Sequence, residues 1–266
     1  MKEQILSKLA PGHPWGGLLQ YYPVLDSTNT LAKSQAAQGV PHGTVIVAGS
    51  QTGGRGRMGR SFHSPEGSGL YFSAILRPDC DAAELMHLTC AVAVAVRDAI
   101  AKCTGLNTGI KWINDLTCGS KKVAGILTEL ILVPGSSKVS CAIVGIGINC
   151  RQQESDFPPE LRSIAGSLSM AAGRDVSPAD LAAAIMESLH TMSIDLLTQK
   201  AALMANYRAH CITLGREVSL HRADIVTHAR AIDVDDDGAL LVEYPDGRTE
   251  TVNSGEASVR GMYGYI

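Results

Sequence analysis

The chain has 266 residues, of which 45% are hydrophobic and 18% are charged, and its formal net charge is −3. That length suits one large domain, or one large domain with one small domain, and the composition is that of an ordinary globular protein. The slight negative charge argues against nucleic acid or an anionic membrane as a partner, so any basic binding surface must be local.

Targeting and redox features are sparse. Residues 1–10 lack the apolar run of a signal peptide, and the longest apolar stretch, around Leu88–Val96, is too short to span a bilayer. The seven cysteines are scattered without a C-x-x-C pair, so they indicate neither a zinc site nor a disulfide framework. These features predict a protein of the reducing cytoplasm.

The first predicted elements are a strand over Tyr21–Leu25 and a helix over Thr30–Gln38 that Gly39 ends. The polar segment Asp26–Asn29 lies between them. It supplies a natural N-cap for the helix. It also places several donors and acceptors at a helix N-terminus, where they can hold a small polar ligand. Both interpretations can hold together.

The most informative stretch is GSQTGGRGRMGR, residues 49–60, which follows a predicted buried strand over Thr44–Ala48. Its glycines let other groups approach the main chain closely, and Arg55, Arg57 and Arg60 carry planar forks that match phosphate and carboxylate oxygens. The pattern is neither a Walker loop nor a dinucleotide fingerprint. It predicts a loop that closes over an anion at the end of a strand. The alternative is a solvated, flexible basic connection.

Downstream, Leu70–Leu76 is predicted to be a strand. Asp81 with Glu84 resembles a capping box, and the run Ala82–Cys103 is predicted to be a mostly apolar helix that closes near Gly105. This helix is expected to pack on the sheet.

The middle of the chain is predicted to be rich in strands. Ile110–Leu116 is predicted to be a strand with polar residues at its end, and Lys121–Val133 with Lys138–Asn149 is predicted to form a hairpin. Two glycines near the end of the hairpin, Gly145 and Gly147, indicate a ligand lying close to the backbone.

The C-terminal part changes character. A helix is predicted from Ser177 to Gln199, and Ala201–His210 continues helical. Four short strands are predicted after it: Arg216–His221, Ile225–Asp233, Ala239–Tyr244 and Thr249–Asn253. They predict a small β-barrel-like module of roughly 50 residues, which is marginal alone and is expected to dock on the large domain.

Several stretches match one protein family in the same order: Asp26–Asn29, Gln51–Arg60, Lys111–Asp115, Lys122–Leu127 and Gly145–Asn149. Together with the small C-terminal β-module, they resemble the biotin protein ligases (biotin–acetyl-CoA-carboxylase ligases). The resemblance covers the chain from Asp26 to near its end.

The chain departs from the family pattern in three ways. Ile113 stands where the family usually has proline in a K-W-P-N-D run, and Phe62 stands where some members carry a tryptophan that stacks on adenine. Residues 1–25 are too few for the winged helix-turn-helix of the bifunctional members. DNA-binding repressor activity is therefore not expected.

The resemblance implies an α+β fold with two domains. A large catalytic domain of mixed sheet and helices, with the class II synthetase-like biotin/lipoate ligase fold, would span residues 1–212. A small SH3-like β-barrel would span residues 213–266. The implied activity is an ATP-dependent ligase that makes biotinyl-5′-AMP and transfers biotin to a lysine of a carrier protein. A lipoate–protein ligase is the nearest alternative and a non-catalytic biotin sensor is another; the GRGRMGR and KVAGIL stretches favour biotin ligation.

The resemblance also implies overlapping sets of site residues. The catalytic residues would be Lys122, Arg57 and Arg55. The biotin-binding residues would be Ser27, Thr28, Asn29, Gln51, Arg55, Gly56, Arg57 and Lys122. The residues that bind ATP and the adenylate would be Arg57, Arg60, Phe62, Lys111, Asn114, Asp115, Lys122 and Asn149. Without the resemblance, Lys122 is equally an exposed lysine of a Lys-Lys pair.

ATP and biotin are the expected substrates, and Mg²⁺ is expected near Asp115. The expected macromolecular partner is a biotin carboxyl carrier protein or domain; nucleic acid and membrane are not expected. The sequence leaves open whether the chain forms a homodimer.

Overall fold

The computed structural model describes residues 1–222, 225–254 and 258–261. The α-helices in these ranges are α1 (Lys2–Leu6), α2 (Thr28–Ala37), α3 (Leu88–Thr104), α4 (Leu168–Ala172), α5 (Pro178–Asp195) and α6 (Lys200–His210). The strands of the large part of the chain are β1 (Leu19–Leu25), β2 (Thr44–Gln51), β3 (Gly69–Leu76), β4 (Gly109–Lys111), β5 (Asp115–Cys118), β6 (Lys121–Leu132) and β7 (Val139–Asn149). The remaining strands are β8 (Glu217–Arg222), β9 (Ile225–Val234), β10 (Leu240–Glu243), β11 (Thr249–Val252) and β12 (Ser258–Gly261).

Among the described residues, the first seven strands form one mixed sheet in the order β1-β2-β3-β7-β6-β5-β4. β1 and β2 are parallel, and each of the other neighbouring pairs is antiparallel. The long β6–β7 hairpin predicted from the turn residues is confirmed.

Both faces of this sheet are covered, because successive side chains of a strand point to opposite sides. In β2, Val45 and Val47 join the main core, which includes α3 and α5, whereas Ile46 faces a smaller core that includes Ala32 and Ala36 of α2. A strand that is buried on both faces has a continuous run of apolar residues in its sequence. Such runs allow β2 and β3 to be predicted from the sequence.

Two local predictions were wrong in detail. The Asp81–Glu84 capping box is present, but it begins a short 3-10 turn over Ala82–Leu85, and α3 begins only at Leu88. Ile110–Leu116 is not one strand: the chain reverses between β4 and β5, which pair with each other. The polar residues of that stretch therefore lie at a hairpin turn, where they approach the neighbouring loop.

The second sheet contains five described strands in the order β11-β10-β9-β8-β12 and is antiparallel throughout. Its first four strands in chain order match those predicted, and β12 was missed. We call residues 213–261 the C-terminal module; the last residues of the predicted module, 262–266, lie outside the described residues.

The C-terminal module docks on the large sheet, as expected. Trp112 donates from its main-chain nitrogen to Thr213 Oγ1 and from its indole Nε1 to the carbonyl of Gly238, both at 2.9 Å. The peptide bond between Trp112 and Ile113, in the turn between β4 and β5, is cis. The two hydrogen bonds of Trp112 join this turn to the C-terminal module.

The seven cysteines all lie at described positions, and each is a free thiol. None of the helices in the described ranges is long and apolar enough to cross a bilayer.

His87, at the start of α3, is fully buried. Its Nε2 lies 2.9 Å from the carbonyl of Leu196. Because a carbonyl only accepts, Nε2 carries the proton, and Nδ1 remains buried without a partner among the described residues. Burial lowers the pKa of His87 below its ordinary value of 6.5. The unfolded chain therefore takes up this proton more readily, and stability is lost as pH falls through 6.5.

We expect the free energy of unfolding of the native chain to fall by about 1 kcal/mol more than that of His87→Gln between pH 7 and pH 5.5. Urea unfolding at the two pH values measures this difference. His228→Gln, on an exposed position of β9, is the control for replacing a histidine by glutamine. If His87→Gln and the native chain change in parallel, His87 is not held neutral by the fold.

Candidate active site

A cavity of about 630 Å³ lies between the start of α2, the loop after β2, the β4–β5 turn and strands β6 and β7. Of the residues that the sequence analysis selected, those lining it are Ser27, Thr28, Asn29, Gln51, Arg55, Gly56, Arg57, Arg60, Phe62, Lys111, Asn114, Asp115 and Lys122. Residues from four separate stretches therefore meet in one cavity.

Asn149 is the exception, because it is not among the described residues that line the cavity. It ends β7, is buried, and donates from Nδ2 to the carbonyl of Gly166 at 3.0 Å, while Gln152 donates to its Oδ1. Its amide stabilises the loop beyond β7.

The arginine-rich segment, which we call the lid loop (residues 53–61), is folded back on itself. Arg55 and Ser61 form an antiparallel bridge, and the Gly56 amide donates to the carbonyl of Arg60 at 2.7 Å. At its tip, Met58 has a φ of 55° and is exposed. The loop is a small hairpin over the cavity and not an extended solvated connection.

Glycines shape the floor of the cavity. A Cβ atom at Gly147 would lie 2.6 Å from Cε1 of Phe62, and one at Gly145 would lie 2.1 Å from Oδ1 of Asn29. Because real Cβ atoms do not approach other atoms so closely, only glycine lets the Phe62 ring and the Asn29 amide lie directly on β7.

One end of the cavity is a hydrogen-bonded polar wall. Gln51 Oε1 accepts from the Thr28 amide at 2.8 Å and from Thr28 Oγ1 at 3.1 Å, and Gln51 Nε2 donates to Ser64 Oγ at 3.0 Å. Ser27 caps α2 by accepting from the Thr30 amide. Ser27, Thr28 and Asn29 are each at most 4% exposed. Ser27 both caps α2 and lines the cavity, so the two interpretations of this segment, as a helix cap and as a ligand site, are compatible.

The other end of the cavity is cationic. Arg57 donates to Asn114 Oδ1 at 3.1 Å and also to the carbonyl of Ser254 in the C-terminal module. Burial lowers the pKa of Arg57 from its ordinary value, and the Asp115 carboxylate opposes this shift; a guanidinium stays charged under either influence. Lys122 Nζ lies 2.5 Å from Asp115 Oδ1.

The charge of the cavity opposes that of the whole chain. Among the described lining residues there is a single carboxylate, Asp115, against several cations: Arg55, Arg57, Arg60, Lys111 and Lys122. In a half-enclosed site such a set attracts anions strongly. The arrangement suits a ligand with a polar, hydrogen-bonding head at one end and phosphate or carboxylate groups at the other.

Metal binding has limited support from the side chains. The described residues contain no group of three His, Cys, Asp or Glu side chains that could hold a metal ion. Asp115 offers one carboxylate, which fits Mg²⁺ that arrives with nucleotide phosphates as its main ligands.

Sequence reasoning missed several lining residues. Ser163 and Ile164 lie on the loop between β7 and α4, where the Lys122 amide donates to the Ile164 carbonyl at 2.7 Å. Val259 comes from β12 of the C-terminal module. No local pattern marks these residues, because only tertiary contacts bring them to the cavity.

Comparisons with known proteins agree with this geometry. Residues 21–149 match the model of the biotin/lipoate A/B protein ligase family, and residues 213–260 match the biotin protein ligase C-terminal domain. The bifunctional ligase/repressor BirA of Bacillus subtilis is 38% identical over 233 residues, which cover 87% of this chain and 71% of that protein. The biotin–[acetyl-CoA-carboxylase] ligase of Mycobacterium tuberculosis is 30% identical over 238 residues, which cover 86% of this chain and 84% of that one.

A similar solved structure is the biotin protein ligase from Aquifex aeolicus in complex with biotin and ATP. It has a TM-score of 0.76 and 29% sequence identity, and the match covers 91% of this chain and 98% of that chain. The mixed sheet-and-helix fold predicted from sequence is thereby confirmed.

The glycine floor generates a stability prediction. Gly145→Ala should lower the free energy of unfolding by about 2 kcal/mol, because its methyl group would force the buried Asn29 amide off the sheet. Gly125→Ala is the matched control on the adjacent strand β6, since its Cβ would meet only the flexible end of Lys122 at 3.1 Å and the Phe62 ring at 3.5 Å. Urea unfolding of both variants measures the difference; equal losses would mean that Gly145 is not needed to seat Asn29.

Proposed function

The chain belongs to the biotin/lipoate A/B protein ligase family, and from this membership we propose that it activates biotin with ATP and transfers it to a lysine of a carrier protein. The observation that carries the proposal is the division of one cavity into a polar wall and a cationic end. Biotin has a matching division: a ureido head at one end and a carboxylate at the end of its side chain.

In the first step, an oxygen of the biotin carboxylate attacks the α-phosphorus of ATP. The new bond joins that oxygen to phosphorus, and the bond from phosphorus to the bridging oxygen of the β-phosphate breaks, so that biotinyl-5′-AMP and pyrophosphate result. Two anions must approach each other, and cationic stabilisation should supply most of the catalysis. Lys122, Arg57 and Arg55 fill this role.

Lys122 is suited to the reacting centre because it lies at the start of β6 beside the turn that carries Asp115. Its ammonium group faces a carboxylate at 2.5 Å. In the reaction, we assign it to the biotin carboxylate and the α-phosphate, with Asp115 holding it in place from behind. This geometry requires no proton transfer by Lys122.

In the second step, the neutral amine of a carrier lysine attacks the acyl carbon of the mixed anhydride. The new carbon–nitrogen bond replaces the carbon–oxygen bond to the phosphate, AMP leaves, and the amine proton is lost to solvent. The adenylate must survive until the carrier arrives. Closure of the lid loop by Arg55 and Arg57 over the phosphate would exclude water and slow hydrolysis.

The remaining assignments follow the two ends of the cavity. Ser27, Thr28, Asn29 and Gln51 bind the biotin head, with Gly56 allowing close approach of the lid loop. Arg60, Phe62, Lys111, Asn114 and Asp115 bind the nucleotide, Phe62 by stacking on adenine. Mg²⁺ would be supplied with ATP, where it would offset phosphate charge, and Asp115 is the carboxylate that would hold it from the protein side.

We further propose a ligase domain over residues 1–212 and a C-terminal domain over 213–266, acting in the cytoplasm on a biotin carboxyl carrier protein. The contact between Arg57 and Ser254 supports a direct link between the second domain and the lid loop.

The function is tested by incubating the protein with biotin, MgATP and a carrier domain and measuring the mass of the carrier. One biotinyl group should be added at one lysine, with ATP converted to AMP and pyrophosphate. Lipoate in place of biotin should give no product. Modification with lipoate alone would favour the lipoate–protein ligase alternative, and binding of biotin without any transfer would favour a sensor.

Lys122→Ala should lower the rate of pyrophosphate release by about 10²- to 10³-fold, because it removes the ammonium group assigned to the reacting phosphate. Lys121→Ala is the matched control: the adjacent Lys121 Nζ donates to the Arg162 carbonyl at 2.5 Å, and Lys121 is not among the described residues that line the cavity. The control should stay within about twofold of the native rate. Near-native pyrophosphate release by Lys122→Ala would remove this residue from the mechanism.

Arg57→Gly should release biotinyl-5′-AMP about tenfold faster or more, because the lid loop loses its contacts to Asn114 and to the phosphate. Trapping of the escaped adenylate by a free amine in solution measures the leak. Met58→Gly adds flexibility at the neighbouring position without removing a charge and should retain the adenylate. Equal leakage from both variants would show that loop flexibility, not the guanidinium, sets retention.

A further inference from the structure

Glu129 lies on β6 two residues beyond the cavity-lining Leu127 and is not itself among the described lining residues. Its carboxylate nevertheless contacts the polar wall from behind. Oε2 accepts from Asn29 Nδ2 at 2.9 Å, and Oε1 accepts from Lys33 Nζ at 2.6 Å. Lys33 is one helical turn beyond Asn29 on α2, so a single carboxylate joins two side chains of one helix to the sheet.

These contacts fix the orientation of the Asn29 side-chain amide. An ionised carboxylate only accepts hydrogen bonds, so Nδ2 must face Glu129. Asn29 Oδ1 then faces Ser73 Oγ at 2.7 Å. Because an amide oxygen also only accepts, the single hydroxyl proton of Ser73 is directed to Asn29.

Ser73 Oγ also lies 2.8 Å from Thr28 Oγ1, whose own hydroxyl proton is directed to Gln51 Oε1 at 3.1 Å. The ordered donors that lead to Glu129 therefore run from Ser73 through Asn29. Ser73 is fully buried, and Thr28 and Asn29 are each 4% exposed, so water does not compete for these bonds.

The main-chain carbonyl of Leu127 also accepts from Asn29 Nδ2, at 3.4 Å, so it favours the same orientation over a longer distance than the 2.9 Å contact to Glu129. With a neutral amide at position 129, Asn29 could turn over, because the new side chain would both donate and accept. Turning would present a donor to Ser73 and reverse the direction of the bond between Asn29 and Ser73. Because Gly145 has no side chain, the Asn29 amide lies directly on the sheet at this position.

We propose that Glu129 is a positioning residue for recognition of the biotin head, resting on the function proposed above. Its carboxylate, balanced by Lys33, sets the orientation of Asn29, whose side-chain oxygen then offers a lone pair to an N–H donor of the ureido group. Glu129 makes no contact with the ligand and takes no part in the chemistry. Its effect is confined to the biotin end of the cavity.

The test compares Glu129→Gln, nearly identical in shape, with the native protein in biotin titration calorimetry and in steady-state kinetics. The Kd and KM for biotin should each rise about tenfold, while the KM for ATP stays within about twofold. Glu187→Gln is the matched control. It breaks a comparable ion pair, with Lys102 at 2.7 Å, outside the cavity, and should leave both substrates unaffected.

A double-mutant cycle separates positioning from general stability. Asn29→Asp places a second carboxylate against Glu129 and should weaken biotin binding most. Combining it with Glu129→Gln restores an amide–carboxylate pair in reverse, keeps an oxygen facing Ser73, and should recover about tenfold in Kd relative to Asn29→Asp alone.

The outcomes are distinct. If the native protein binds biotin and Glu129→Gln binds it equally well, the inference is refuted while the proposed function stands. A similar weakening for biotin and ATP, or a double variant no tighter than Asn29→Asp, also refutes it. If the native protein does not bind biotin, the proposed function fails, and the inference fails with it.

Discussion

The structure depends on one arrangement of charge. Several fixed cations surround one cavity, and the described residues that line it include a single carboxylate. Uncompensated, such groups would repel one another and destabilise the fold. The structure restrains them by specific contacts: Arg57 bonds to Asn114 and to a carbonyl of the C-terminal module, and Lys122 pairs with Asp115. These partners hold the charges ready for an anionic ligand, which can then neutralise the site on binding.

The structural elements around the cavity hold these charged groups in place. The β4–β5 turn carries Asn114, whose main chain and side chain both bond to Ile126 on β6, at 2.9 and 2.8 Å. The lid loop is thereby tied to the middle of the sheet through Arg57. At the opposite end, the Asn29 amide lies on Gly145 and is held by Ser73 and Glu129. The two ends thus rest on the same pair of strands.

Much of this could be predicted because the signals are local. Apolar runs marked β2 and β3, turn residues marked the β6–β7 hairpin, and the glycine–arginine pattern marked the lid loop. The individual site residues came from the family resemblance and not from these signals alone, and all but Asn149 line the cavity. Ile110–Leu116 was misjudged because an apolar run with a polar end fits a strand as well as a hairpin turn. Ser163 and Val259 carry no local signal, since docking of a loop and of a separate module brings them there.

A crystal structure with a non-hydrolysable analogue of biotinyl-5′-AMP tests the central claim most directly. The account predicts that the ureido head contacts Thr28 and Asn29, that the guanidinium of Arg57 and the ammonium of Lys122 lie within hydrogen-bond distance of the group replacing the phosphate, and that the lid loop covers it. A bound analogue with the lid loop directed into solvent and neither cation in contact with that group would contradict the account.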